Sequence, residues 1–439
     1  MQHAFIEAAM TQLPSQHGLR LSLHNEVHAR PPEPMGMPMA LSHVVMACNA
    51  SQRDASRAHM AVLARDHHLP APEEGSIHMR MDFGPFKVRW ELHTEFVTWT
   101  FMRSIAAQGG TERDPEVALD VVPQQWFAEL PGECLACLHL WVLPAKEETV
   151  MPWLRHVLHE ETLVASTVAD GLGEVYTDFS VHADGFSRMV LLAGGMTPRR
   201  LGRLVQCLLE IETYRMAALL GLPAAREASH VLASAERELA ELAQAIRSAT
   251  RNDEPMLLDR LTRLAGQVES QHAATHSRFS ASAAYFELVD KRIEDIAESR
   301  LAGMQTIREF MDRRLTPARS TCAWSSRRQD ALSQRVSRIS NLLRTRVEIE
   351  QQQSSQALLA TMNTRQGLQL QLQSTVEGLS VAAITYYIVG LVSYMAKAAS
   401  HHGWLLSPEV TAAAAIPVVA GSVWWSLRRL HHRLFTSVS

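Results

Sequence analysis

TVEGLSVAAITYYIVGLVSYMAK, residues 375–397, interrupts a chain that up to this point reads as charged and soluble. Between Glu377 and Lys397 nineteen residues carry no charge, and between Glu409 and Arg428 there are eighteen more. A helix of about 20 apolar residues crosses the roughly 30 Å hydrocarbon core of a bilayer. The run is apolar all round rather than along one stripe, which suits a lipid-facing helix better than a surface helix of a soluble bundle. The two runs predict a C-terminal transmembrane hairpin, with helices at 377–397 and 410–427, an outer loop at 398–409 and a basic tail at 428–439.

Charge sets the expected topology. Arg428, Arg429 and Arg433 follow the second span, whereas the connecting loop offers only Lys397, which places the C-terminus on the cytoplasmic side. The first residues, MQHAFIEAAMTQLPSQHG, lack a basic region followed by an apolar core and carry Glu7 where that core would lie. The expectation is a protein of the cytoplasmic membrane with the bulk of the chain and both termini in the cytoplasm. Trp404, Trp424 and Trp425 fall where an aromatic belt would sit.

A chain of 439 residues exceeds one compact core. Net charge is only −4 with both signs interspersed, so no global field selects nucleic acid as a partner. RLTRL (260–264) and RRLTPARS (313–320) are basic but come without an aromatic platform, and read as solvated helix faces. The five cysteines are odd in number and scattered, which argues for a reducing compartment. Cys134 and Cys137 form a lone CxxC inside CLACLHLWVL, read as ordinary strand cysteines because no second pair completes a zinc site.

Residues 1–195 show short alternating runs cut by Pro and Gly, and predict an α+β or α/β domain with a mixed sheet. ALSHVVMAC (40–48) reads as a strand, 51–69 as a helix capped by Ser51, and SIHMRMDF with FKVRWELHTEFVTWTF as a hairpin through Gly84 and Pro85. CLACLHLWVL, LVASTVAD, EVYTDFSVHAD and SRMVLLAG read as further strands. At Thr197 the period becomes helical, with Thr197 as N-cap and Pro198 in the first turn. Leu332, Val336, Ile339, Leu343 and Val347 then lie on one stripe, resumed by Leu358, Met362, Leu372, Val376 and Leu379. Residues 196–376 are therefore expected to form a coiled-coil-like helical stalk. A helix running unbroken from about Gln329 into the apolar segment would measure on the order of 100 Å at about 1.5 Å per residue, and would self-associate through its seam.

The stretches LRLSLHNEVHARPPEP (19–34), KVRWELHTEFVTWTF (87–101), VYTDFSVHADGFSRMVL (175–191), LGRLVQCLLEIETYRMAALLGLP (201–223) and the first apolar run together resemble an uncharacterised bacterial family of membrane-anchored proteins, a domain of unknown function. That resemblance implies a location, the bacterial inner membrane, and no activity. In layout the chain is also similar to CorA-type divalent-cation channels, in which the long helix becomes the pore-lining span of a pentamer. Their first span ends in Gly-Met-Asn, and here it ends GLVSYMAK. On that likeness Tyr387, Gly390, Leu391 and Tyr394 would line a pore.

Candidate chemistry rests on strand faces, where alternate side chains point the same way. WELHTEF would align Glu91, His93 and Glu95; LHNEVHAR would align Glu26 and His28 with His24 and Arg30; YTDFSVHAD would align Asp178 and His182 with Ser180 and Asp184. Converged, such carboxylates and imidazoles bind a divalent metal ion. Kept apart, they are the polar face of a half-covered sheet. His401, His402 and Glu409 of the outer loop could attract cations at a pore mouth. HEET at 159–162 lacks the second histidine of a zincin, no nucleotide or nucleophile-elbow motif occurs, and neither span holds a charge of the kind a pump uses. The expectation is a membrane-anchored binding or scaffold protein, with the bilayer and further copies of itself as partners and no nucleic acid. A CorA-like homo-oligomeric ion pathway is the alternative, and a membrane-bound metal-dependent hydrolase the third.

Overall fold

The computed structural model describes residues 15, 17–21, 23–24, 31–73, 75–106, 115–145, 147–250, 252–400 and 407–435. The chain divides into two compact units, Met1–Ile339 and Ser340–Ser439.

In the first unit, β1 (Met39–Ala47) leads to α1 (Ala50–Asp66), followed by β2 (His78–Asp82), β3 (Lys87–Leu92), β4 (Phe96–Ser104), α2 (Gln124–Ala128), β5 (Glu133–Pro144) and α3 (Glu147–Val157). Then come β6 (Val164–Val168), β7 (Gly173–Thr177), β8 (Ser187–Ala193), α4 (Pro198–Leu219), α5 (Gly221–Ser248), α6 (Glu254–Asp295) and β9 (Ser299–Arg300). The nine strands form one sheet in the order β2-β3-β4-β1-β5-β8-β7-β6-β9. The β5–β8 pair is parallel and the other ladders are antiparallel, which makes the expected mixed sheet.

Alternation divides the side chains between two apolar layers. Val44, Met46, Val88, Trp90, Trp99 and Phe101 point to the face covered by Met60 and Leu63 of α1 and Trp126 of α2. Trp141, Tyr176 and Val190 continue that face under Trp153, Leu154 and Val157 of α3. Leu41, Leu138, Leu140, Met189 and Leu191 point the other way, under α4, α6 and the start of α7 (Ile307–Ser400). Fully burying a side chain of this size stabilises by about 1.5–3 kcal/mol, so the two layers together hold the sheet between helices on both sides.

Several local readings change in detail. The cap of α1 is Asn49, whose side chain accepts from Gln52 N while Asn49 N donates to Gln52 Oε1. This reciprocal box outcompetes Ser51, which lies inside the helix and donates to Asn49 instead. The run 86–101 is two strands rather than one: His93 N donates to Phe96 O at 2.9 Å, closing a tight turn between β3 and β4. The helical half is also punctuated, since the backbone breaks at 296–306, with Ala297 at φ +46°, and β9 adds to the sheet edge beside β6. Thr197 caps α4 and Pro198 stands in its first turn, as the spacing predicts.

The long helix α7 starts at Ile307, earlier than the expected Gln329, and accommodates Pro317 about three turns in. Leu332 and Val336 of the expected seam are buried. In the second unit, residues 351–376 of α7 are almost wholly exposed, including Leu358, Met362, Leu372 and Val376. The end of α7 and α8 (Pro408–Phe435) are each long and apolar enough to cross a membrane.

Candidate metal centre

The cluster sits at the end of the sheet where β6 begins and β7 stops, paired through Val164 and Thr177. Past Thr177 the chain turns sharply. Ser180 N donates to Asp178 Oδ1 at 3.0 Å and Phe179 N to Thr177 Oγ1 at 3.2 Å, with Phe179 at φ +50°. A carboxylate that captures the amide two residues on makes an Asx turn, the local chemistry by which Asp ends a strand. A second tight turn follows, in which Gly185 N donates to His182 O and His182 N donates to Phe186 O, both at 2.9 Å. Gly185 takes φ +85°, a conformation glycine adopts without a steric cost. These two turns aim His182 back at Asp178.

His159 arrives from the other side. It lies two residues past the end of α3 and precedes β6, and its backbone N donates to Asp178 Oδ2 at 3.0 Å. Its Nδ1 lies 3.0 Å from the same oxygen, and His182 Nε2 lies 2.8 Å from it. The two imidazoles stack in parallel with centroids 4.3 Å apart. Burial is graded: the Asp178 side chain is 0% exposed, that of His182 8% and that of His159 57%. Arg188 fastens the framework, donating to Val157 O at 3.1 Å and to Asp184 Oδ2 at 3.0 Å.

One donor atom from each of His159, Asp178 and His182 lies within 4.8 Å of the other two. Two imidazoles and one carboxylate on one side of a point are a donor set for divalent first-row transition ions such as Zn²⁺ or Fe²⁺, rather than for Mg²⁺ or Ca²⁺, which prefer all-oxygen shells. The exposed side of His159 leaves room for water or a further ligand. The Asp178 carboxylate is already oriented by two backbone N–H groups, which is the outer-shell support that metal ligands need.

Sequence reasoning named Asp178 and His182 but placed them on a strand face; they meet through loop turns. His159 does not stand out in the sequence, because HEET lacks the second histidine that a helical zinc motif needs. The signal that could have found it is its position between the end of an amphipathic helix and the start of a buried strand, next to the strand that Asp178 follows.

The remaining candidates go elsewhere. Glu91 pairs with Arg89 at 3.6 Å and accepts from Thr98 at 3.4 Å, both inside the sheet. His93 stacks on Phe96 at 4.5 Å. Glu95 accepts from Tyr285 at 3.1 Å and forms a two-pronged ion pair with Arg278. These three do not share a face, because the turn at 93–95 breaks the strand. Glu26, His28, His401 and His402 lie outside the described residues. Tyr387, Gly390, Leu391 and Tyr394 line a cleft of about 670 Å³ between the end of α7 and α8, together with Thr385 and Ser393.

These features define a class: a mixed-sheet domain with a two-histidine, one-aspartate cluster at the sheet's end, followed by helices of which two are long and apolar enough to cross a membrane. Within that class, the chain belongs to the family described as "Protein of unknown function (DUF3422)", whose model matches residues 15–434. No curated protein and no solved structure matches it, and the likeness in layout to CorA-type channels is not supported.

Proposed function

We propose that this chain is a membrane-anchored binding protein: the α7–α8 hairpin tethers it to the bacterial inner membrane, and its sheet domain holds a divalent transition-metal ion on His159, Asp178 and His182 on the cytoplasmic side. The observation that carries the tether is a contrast within the chain. The first unit encloses its large apolar side chains in two layers, whereas Tyr386, Tyr387, Tyr394 and Met395 of α7 and Val418, Trp424 and Trp425 of α8 are all more than half exposed. Contiguous apolar surface on this scale marks a membrane or partner contact. The guanidinium of Arg428 lies over Trp424 at 5.0 Å and that of Arg429 over Trp425 at 4.9 Å, an amphipathic pairing suited to a headgroup layer on the basic side.

Fractionation tests the tether. The full chain stays in the membrane pellet after an alkaline carbonate wash, and a chain ending at residue 374 moves to the soluble fraction. Release of the full chain by carbonate would overturn the reading. Self-association through the stripe Leu358, Met362, Leu372 and Val376 is part of the same proposal; the exposure of these side chains supports it.

A further inference from the structure

A second constellation lies outside the metal cluster, in the strand that carries the lone CxxC. In a regular strand, residues three apart point to opposite faces. Here the register between β1 and β5 shifts: Val44 pairs with Cys137 and Val45 with Ala136, but Met46 pairs with Cys134, so Leu135 is the extra residue of a β-bulge. Val44 and Met46 are two apart and share a face, and the bulge therefore brings Cys134 and Cys137 to that face together. Their sulfurs are 2.8 Å apart, with Cys134 exposed and Cys137 half-buried.

From this geometry we infer that Cys134 and Cys137 form a dithiol site that undergoes thiol–disulfide exchange with small, solvent-borne disulfides. The exposed Cys134 is the attacking sulfur and the more buried Cys137 the resolving one. The Cys134 thiolate attacks one sulfur of the disulfide RSSR; that S–S bond breaks and the first RS⁻ leaves. Cys137, giving up its proton, then attacks the Cys134 sulfur of the mixed disulfide and expels the second RS⁻. The protein dithiol loses two electrons, RSSR gains them, and the two thiol protons end on the two RSH.

Two further observations fit these roles. A hydrogen bond from Cys137 lowers the Cys134 thiol to about 7, while the same bond and burial push Cys137 up. That is the division of labour between an attacking and a resolving thiol. Cys48 is committed elsewhere: it is buried, its thiol is raised by burial, and it donates to Pro131 O at 3.4 Å. Gly132 leads into the bulged strand at φ +108°, where a Cβ would come within 2.6 Å of both Ala47 O and Cys48 Sγ.

The test uses the detergent-purified full chain, oxidised glutathione as the disulfide, acid quenching, and peptide mapping after maleimide alkylation. The expected result is loss of two hydrogens confined to the peptide holding Cys134 and Cys137, with neither cysteine labelled and no intermolecular crosslink on a non-reducing gel. In Cys137→Ser the mixed glutathione disulfide is trapped on Cys134, and in Cys134→Ser glutathionylation at Cys137 slows by about tenfold or more. Full maleimide labelling of both cysteines in the wild-type chain, after glutathione has been offered in large excess, overturns the inference whatever the variants do.

Discussion

His43 shows how a single buried side chain is assigned its proton and what that costs. Its Nε2 lies 2.9 Å from Thr213 Oγ1 and its Nδ1 2.8 Å from Thr100 Oγ1. Thr213 already spends its hydroxyl proton on Leu209 O, so its oxygen can only accept, and His43 must carry the proton on Nε2. Nδ1 then accepts from Thr100. Thr213→Val leaves a buried N–H without a partner and is expected to cost about 1–3 kcal/mol in thermal or chemical unfolding of the full chain. Burial, helped by the positive charge of Arg89, lowers His43 to about 3, and burial lowers His139 to about 4. Both take up a proton near 6.5 once unfolded, so between about 6.5 and 4 the unfolded chain binds more protons than the folded one. Stability is therefore full above that window and falls on acidification, by up to about 1.4 kcal/mol per pH unit for each histidine. A stability profile that is flat from pH 7 to 5 would contradict both assignments. None of this was legible in the sequence, where His43 is one polar residue in an apolar strand; only the register with Thr100 and the overlay of α4 reveal its partners.

At the scale of elements, the legible features were those set by local pattern: the alternation of β1, β5, β6, β7 and β8, the Thr197 cap of α4, and the apolar character of the two C-terminal helices. What could not be read were departures from regularity. The turn at 93–95 splits Glu91, His93 and Glu95, and the bulge at Leu135 joins Cys134 to Cys137. Both depend on which neighbour a strand pairs with, information spread across distant segments. Helix packing offers a prediction of the same kind. Gly221 opens α5 where a Cβ would lie 2.5 Å from Ser282 Oγ of α6 and 3.0 Å from Cys322 Sγ of α7. Gly221→Ala is expected to destabilise the chain by about 1–3 kcal/mol through overpacking, despite alanine's better helix propensity. A melting temperature equal to or above that of the wild type would show that these helices yield more easily than their packing implies.

For the whole molecule, the two-histidine, one-aspartate cluster and the apolar hairpin make separate demands that one preparation can meet. Asp178 and His182 were visible as a polar pattern, but their convergence with His159 needed the antiparallel pairing of β6 and β7. A tethered, self-associating binding protein predicts a small discrete oligomer, whereas an ion pathway requires a closed ring with Tyr387, Gly390, Leu391 and Tyr394 around its axis. Native mass spectrometry of the detergent-solubilised full chain, incubated with Zn²⁺ and compared with His159→Ala and Asp178→Asn, tests the central claim most directly. The account predicts one retained ion per chain in the wild type and loss of that ion in both variants, with the subunit count unchanged. A wild-type chain that retains no ion, or variants that retain it as well as the wild type, would contradict it.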